Sequence, residues 1–218
     1  MSHEIRTPLN SIVGFTNVLV GEVSDEISPD EKASMLDIIN RNNELLLKLI
    51  NDMVEISHLD SGYMSFEIER WNITGIVKEI YAIYQPLIQP SLQFHLKLDE
   101  ALYLPVDIDR QRFIQVISNF LDNANKFTQE GYITLGCKVI EEQNEVCIYV
   151  EDSGKGIDEK EQIMIFDRFY KSDEFGQGSG LGLSISKVII EKLSGRIEVR
   201  SKVGKGSCFS VFLSLAAQ

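Results

Sequence analysis

At 218 residues the chain is long enough for one large domain or two small ones, each with its own buried core. It is 44% hydrophobic and 25% charged, the balance of an ordinary soluble globular protein. Its formal net charge of −12 argues against non-specific nucleic-acid binding, which needs a basic face, but leaves room for a phosphate ligand held by a few local cations.

Residues 1–21 read as a helix, with Ile5, Leu9, Ile12, Val13, Phe15, Val18 and Leu19 giving a broad apolar face at helical spacing. It begins at Met1 with no cap, as a helix continuing from an upstream segment would. The residues after Met1 are polar, so no signal peptide is expected, and no apolar run reaches the ~18 residues of a membrane span. A polar turn over 21–29 follows. Ser28 is placed to cap a second helix, Pro29 suits its first turn, and Glu31 completes a capping box. That helix runs to about Ser61, and Gly62 stops it. Two helices joined by a turn expose more apolar surface than they bury, so the hairpin needs a partner. A second copy of itself, giving a homodimeric four-helix bundle, is the simplest; packing on the rest of the same chain is the alternative.

From about residue 63 the pattern changes. Strand-like stretches at 64–69, 93–98, 102–106, 132–139, 145–151, 195–200 and 207–213 alternate with helical ones at 73–88, 109–127 and 181–193. The mixture predicts an α/β sandwich with one mixed sheet and helices on one face. Cys137, Cys147 and Cys208 fall in the strands, widely spaced and without a C-x-x-C pair. They read as reduced thiols filling the core of a cytosolic protein.

Several segments carry chemistry. In the first helix, His3 and Thr7 share a face and Glu4 adjoins the histidine. A neutral imidazole is a nucleophile near pH 7, and a carboxylate within reach can take the proton from its other nitrogen. Pro8 lacks the N–H that would bond the Glu4 carbonyl, so a local bend around His3–Pro8 is expected. By itself a histidine beside a glutamate is also what a solvated helix face looks like. In the helix over 109–127, Asn119, Asn123 and Lys126 form a polar stripe at i, i+4, i+7: amide oxygens suited to Mg²⁺ and an ammonium suited to phosphate. Asp152 closes a strand ahead of Gly154, Gly156 and Ile157, a turn whose carboxylate can accept from the adenine amino group. Phe166 and Phe169 precede the polar stretch 171–179. Gly178, Gly180, Leu181, Gly182 and Leu183 then open a helix whose free N–H groups suit phosphate. Neither a Walker loop nor a Rossmann turn fits this last segment.

In order and wording these segments resemble the sensor histidine kinases. SHEIRTPL is similar to their H-box, NFLDNANKFT to the N-box, EDSGKGI, GSGLGLSIS and GKGSCF to the three glycine boxes, and IFDRFY to the F-box. The resemblance spans nearly the whole chain. It implies a dimerisation and phosphotransfer hairpin over 1–62 and a Bergerat-type ATP-binding domain over 63–218, using ATP and Mg²⁺. It also implies His3 as phospho-acceptor, Glu4 as its base, and Thr7 positioning water for phosphatase activity. Asn123, with Asn119 nearby, would hold Mg²⁺, and Lys126 would meet phosphate. Asp152 would read adenine in a pocket shaped by Gly154 and Gly156. Gly180 and Gly182 would border the triphosphate, and 171–179 would be the ATP lid. The implied partners are a response-regulator receiver domain and an upstream sensor domain. Two departures stand out: a short lid carrying Glu174 and Phe175, and Ser207 in place of a commoner threonine. The rival readings are a chaperone- or topoisomerase-like ATPase of the same fold, which usually has a glutamate where Asn119 stands, and a non-catalytic ATP-binding module.

Overall fold

The computed structural model describes residues 2–21, 27–62, 65–99, 103–171 and 179–216, with the side chains of Ser2 and His3 outside that description. The turn over 22–26, the first residue of the expected 64–69 strand, Gly178 and the lid stretch 172–178 also lie outside it.

Helix α1 spans Ser2–Val20 and runs unbroken through Pro8, which is buried. The lost N–H bond falls in the helix's second turn and does not end it. Helix α2, Pro29–Asp60, starts as its sequence dictates. The Ser28 hydroxyl accepts from the Glu31 N–H, and the Ser28 N–H donates to Glu31 Oε2 at 3.0 Å. The two helices pack along their length. They leave Leu9, Val13, Val18, Leu36, Leu47, Ile50 and Val54 exposed.

Beyond the hairpin, β1 (Glu69–Asn72) pairs antiparallel with β3 (Pro105–Ile108). A five-stranded sheet is built from β2 (Leu92–Leu98), β4 (Gly131–Ile140), β5 (Glu145–Asp152), β6 (Arg196–Lys202) and β7 (Gly206–Ser214), in the order β2-β4-β5-β7-β6. Only the β2–β4 pair is parallel. The single sheet expected from the sequence is therefore two, because β1 and β3 bond to each other and not to the larger sheet.

Helices α3 (Ile73–Tyr84), α4 (Arg110–Phe127) and α6 (Gly182–Lys192) pack on one face of the large sheet. A short α5, Glu161–Met164, precedes the F-box-like residues. Alternation along β4, β5 and β7 sends Ile133, Leu135, Val146, Ile148, Val150, Phe209 and Val211 into the core, against Phe113, Ile117 and Phe120 of α4. Burial pushes the Cys137 thiol up to about 12 and also raises Cys147 and Cys208, so none favours its thiolate.

One face of α2 joins this domain. Leu59 is part of its core, and Met53 and Ile56 pack against it. The hairpin thus packs on the rest of its own chain and still keeps an exposed apolar stripe on its other side.

Candidate functional site

A cavity opens between α4, the end of β5, the turn before β7 and the start of α6. Nine of the residues singled out in the sequence line it: Asn119, Asn123, Lys126, Asp152, Gly156, Ile157, Gly180, Gly182 and Leu183.

At one end, β5 delivers Asp152 beside Ser207 on β7. The carboxylate is 7% exposed and accepts the Gly154 N–H at 2.8 Å. Burial raises its pKa; the N–H groups of Gly154 and Ser207 and the nearby Thr128 hydroxyl oppose the rise. The Thr128 hydroxyl is itself buried and makes no hydrogen bond of good geometry. A desolvated acceptor beside an unsatisfied hydroxyl suits a flat heterocycle with an exocyclic amine.

At the other end, α4 presents Asn119 and Asn123. The Asn119 amide donates to Ser186 Oγ at 3.0 Å, which ties α4 to α6. A Cβ at Gly182 would overlap the Asn119 amide oxygen, so a glycine there is what lets the two helices approach. Asn123 makes no hydrogen bond among the described residues, which leaves its amide oxygen available to a hard cation. Among the described residues no three His, Cys, Asp or Glu side chains are grouped to hold a metal, so a cation here would rely on amide and phosphate oxygens.

The cavity is lined by four lysines, Lys48, Lys126, Lys155 and Lys171, against one carboxylate, Asp152. In a chain of net charge −12 this is a local reversal of sign. Lys126 and Lys155 flank the half-exposed Phe127 ring, their Nζ atoms 4.6 and 4.8 Å from its centre.

The remaining predicted residues sit around the cavity rather than on it. Gly154 packs behind Asp152 against the Phe127 carbonyl. Leu181 is fully buried, and Phe166 packs against the core. Phe169 has φ 65°, a strained value for a phenylalanine, and its N–H bonds the Gly180 carbonyl at 2.9 Å. That bond draws together the two stems of the 171–179 stretch. Glu4 on α1 accepts from Lys171, a lining residue, with its Oε2 2.5 Å from Lys171 Nζ. Thr7 is exposed on α1.

Sequence reasoning missed Lys48, Lys155, Tyr170, Ser179 and Phe209 as lining residues. Lys155 lies within the first glycine segment, and its position between two glycines was the available signal. Lys48 comes from the hairpin, and no local motif marks it.

Comparison with known proteins fits this geometry. Residues 108–217 match the model of the histidine kinase-, DNA gyrase B- and HSP90-like ATPases, and residues 1–62 match the His Kinase A (phospho-acceptor) domain. The chain belongs to the sensor histidine kinases and carries their catalytic core. It is 34% identical over 228 residues to the autoinducer 2 sensor kinase/phosphatase LuxQ of Vibrio vulnificus, covering 100% of this chain and 26% of LuxQ. It is 32% identical over 218 residues to the sensor protein SrrB of Staphylococcus aureus, covering 98% of this chain and 36% of SrrB. The chain therefore spans only a quarter to a third of the length of these relatives. Among solved structures, the histidine kinase ThkA in complex with the response regulator protein TrrA superposes with a TM-score of 0.80 at 25% identity, over 99% of this chain and 60% of that one. Full-length ShkA in complex with AMPPNP gives 0.74 at 25% identity, over 100% of this chain and 45% of that one.

Proposed function

We propose that the chain is an ATP-dependent protein-histidine kinase that phosphorylates His3 and passes the phosphoryl group to an aspartate of a receiver domain. One observation carries the reading. Glu4, the neighbour of His3, is bonded to Lys171, which lines the cavity that holds Asn123, Lys126 and Asp152. The acceptor segment and the cavity therefore meet within one chain.

In the proposed reaction a ring nitrogen of His3 attacks the γ-phosphorus. An N–P bond forms, the bond to the β–γ bridging oxygen breaks, and ADP departs with its electron pair. Glu4 takes the proton from the other ring nitrogen. The protein's share is mainly placement and charge neutralisation. Asp152 would accept from adenine, with Gly154 and Gly156 shaping that end. Lys126 and the N–H groups opening α6 would meet the phosphates. Mg²⁺, held by Asn123 with Asn119 alongside, would neutralise phosphate charge. Lys171 bonds Glu4 and faces the cavity, so a bound phosphate competes for it and would release the carboxylate for proton transfer.

The boundary between phosphotransfer hairpin and ATP-binding domain is proposed at residues 62 and 63. The exposed apolar stripe of the hairpin supports homodimerisation into a four-helix bundle. The complex of ThkA with a response regulator supports a receiver domain as partner, and the sensor relatives support an upstream sensor domain. Thr7, exposed on α1, would position water for phosphatase activity. No described helix is long and apolar enough to cross a membrane.

Incubation with γ-labelled ATP tests the reading. Label stable to base, labile to acid and absent from His3→Gln is expected; label retained in that variant would sink it.

A further inference from the structure

Four residues of α2 fall at helical spacing on one face: Lys48, Asp52, Glu55 and Leu59. The last three each have a fixed partner in the ATP-binding domain. Leu59 lies in its core. Glu55 bonds Arg112 Nη1 at 2.6 Å and Gln115 Nε2 at 2.8 Å. Asp52 accepts from Ser179 Oγ at 2.6 Å. Ser179 is 3% exposed, and its Oγ in turn accepts the Leu181 N–H at 3.2 Å, at the entrance to α6. Asp52 is thus bonded to the residue that leads into the phosphate-facing helix terminus.

Lys48 is one turn earlier on that face, about 6 Å along the helix axis. Its side chain lines the cavity together with Asn123, Lys171, Gly180 and Gly182. Among the described residues it makes no hydrogen bond and no ion pair. Lys171, another cation at this end, is held by Glu4. Lys48 is therefore an uncommitted ammonium in the phosphate half of a cavity built mostly by another domain. An ammonium on a flexible stem acts as a movable point charge, which suits the outermost phosphate rather than the fixed ring.

We propose that Lys48 is a binding residue for the terminal phosphate of ATP, supplied by the hairpin only while α2 is docked on the ATP-binding domain. The proposal rests on the nucleotide reading above and extends it. The cavity recognises the third phosphate with a residue that the ATP-binding domain does not own. Triphosphate affinity is thereby coupled to docking, and ATP is distinguished from ADP by the hairpin.

The test is calorimetric titration of the intact chain with Mg-ATP and with Mg-ADP, for the parent, Lys48→Met and Lys48→Arg. Loss of one charge-assisted contact in a half-open site corresponds to about a five- to tenfold weakening. Lys48→Met is expected to lose that factor for ATP and less than about twofold for ADP. Lys48→Arg should recover most of the loss, which a purely structural role would not require. Lys48 is exposed, so urea midpoints should be equal across the three proteins and exclude misfolding as the cause. Unchanged ATP affinity in Lys48→Met, or equal losses for ATP and ADP, would overturn the proposal. A parent chain that bound neither nucleotide would instead overturn the ATP reading itself.

Discussion

The two ends of the cavity are built by different means. The Asp152 end is backbone work: β5 and β7 pair in register, Asp152 opposite Ser207, and main-chain N–H groups hold the carboxylate. The lysine end is side-chain work: Lys48, Lys126 and Lys171 project on long stems from three different elements, one of them in the hairpin. A strand paired on both sides, as β5 is by β4 and β7, cannot move without breaking the ladder. Long side chains can be repositioned, and a contact across two domains is lost when they part. On the proposed reading, recognition of a ring would be preset, whereas recognition of a terminal phosphate would be assembled.

The comparison breaks most readily at Gly206. Its φ is 87°, and a Cβ there would fall inside the carbonyl oxygen of Asp152, which is backbone and cannot step aside. Gly206→Ala combines left-handed strain with a main-chain clash, so a loss of about 3 kcal/mol in urea-measured stability is expected. Nucleotide affinity should fall with it, because the turn must shift away from Asp152. A loss below about 1 kcal/mol would mean that this end yields more easily than its backbone construction implies.

A gentler test replaces Asp152 with Asn. The carboxylate becomes an amide that cannot accept from the N–H groups of Gly154 and Ser207 with both atoms, and ATP affinity is expected to drop about tenfold or more. Stability should respond to pH in a defined sense. Burial raises the folded pKa above the unfolded value of 3.8. The favourable contribution of the protonated group is complete below that value and is lost as pH rises through the folded pKa. Urea midpoints of Asp152→Asn should therefore gain on those of the parent as pH rises above 3.8. A constant difference across that range would show that the site does not desolvate the carboxylate.

How much of this was legible follows the same division. The hairpin, the Ser28 cap, α4 and the strands of the large sheet were readable because apolar spacing and capping act locally. The 73–88 helix was overextended. Gln85 keeps helical backbone and bonds the Tyr81 carbonyl, but Pro86 has no N–H to give the Ala82 carbonyl, and α3 ends at Tyr84. The expected strands at 64–69 and 102–106 lie a few residues away from β1 and β3, because their limits are set by pairing with each other, with Asn72 Oδ1 accepting from the Leu104 N–H. In the site, residues inside contiguous motifs such as Asn123 and Asp152 were legible. Lys48 was not, because its meaning depends on the docking of α2 against a cavity whose other lining residues begin only at Asn119.

The smallest expected effect concerns how α2 is held, since that docking brings Lys48 to the cavity. Among the described residues, two ion pairs join α2 to the ATP-binding domain, in unlike surroundings. Arg168 and Asp60 form a two-pronged pair at 2.6 and 2.7 Å, but both side chains are about half exposed. Its hydrogen bond from Arg168 lowers the Asp60 pKa, so the pair helps above the unfolded value of 3.8 and is lost as pH falls through the folded pKa. Water and salt screen it, and holding two long side chains in one geometry consumes most of what remains. The Glu55 cluster with Arg112 and Gln115 is far less exposed, 14% at Glu55 and 26% at Arg112. Removing its carboxylate takes the acceptor from Gln115 Nε2 and leaves Arg112 Nη1 with Gln115 Oε1 at 3.0 Å alone, which costs about 1–3 kcal/mol. Glu55→Ala should therefore lower the urea midpoint, whereas Arg168→Ala should leave it within error at physiological salt. If Arg168→Ala proved the more damaging of the two, the docking would depend on an exposed charge, and α2 would be held far more weakly against the lysine end than its buried contacts indicate.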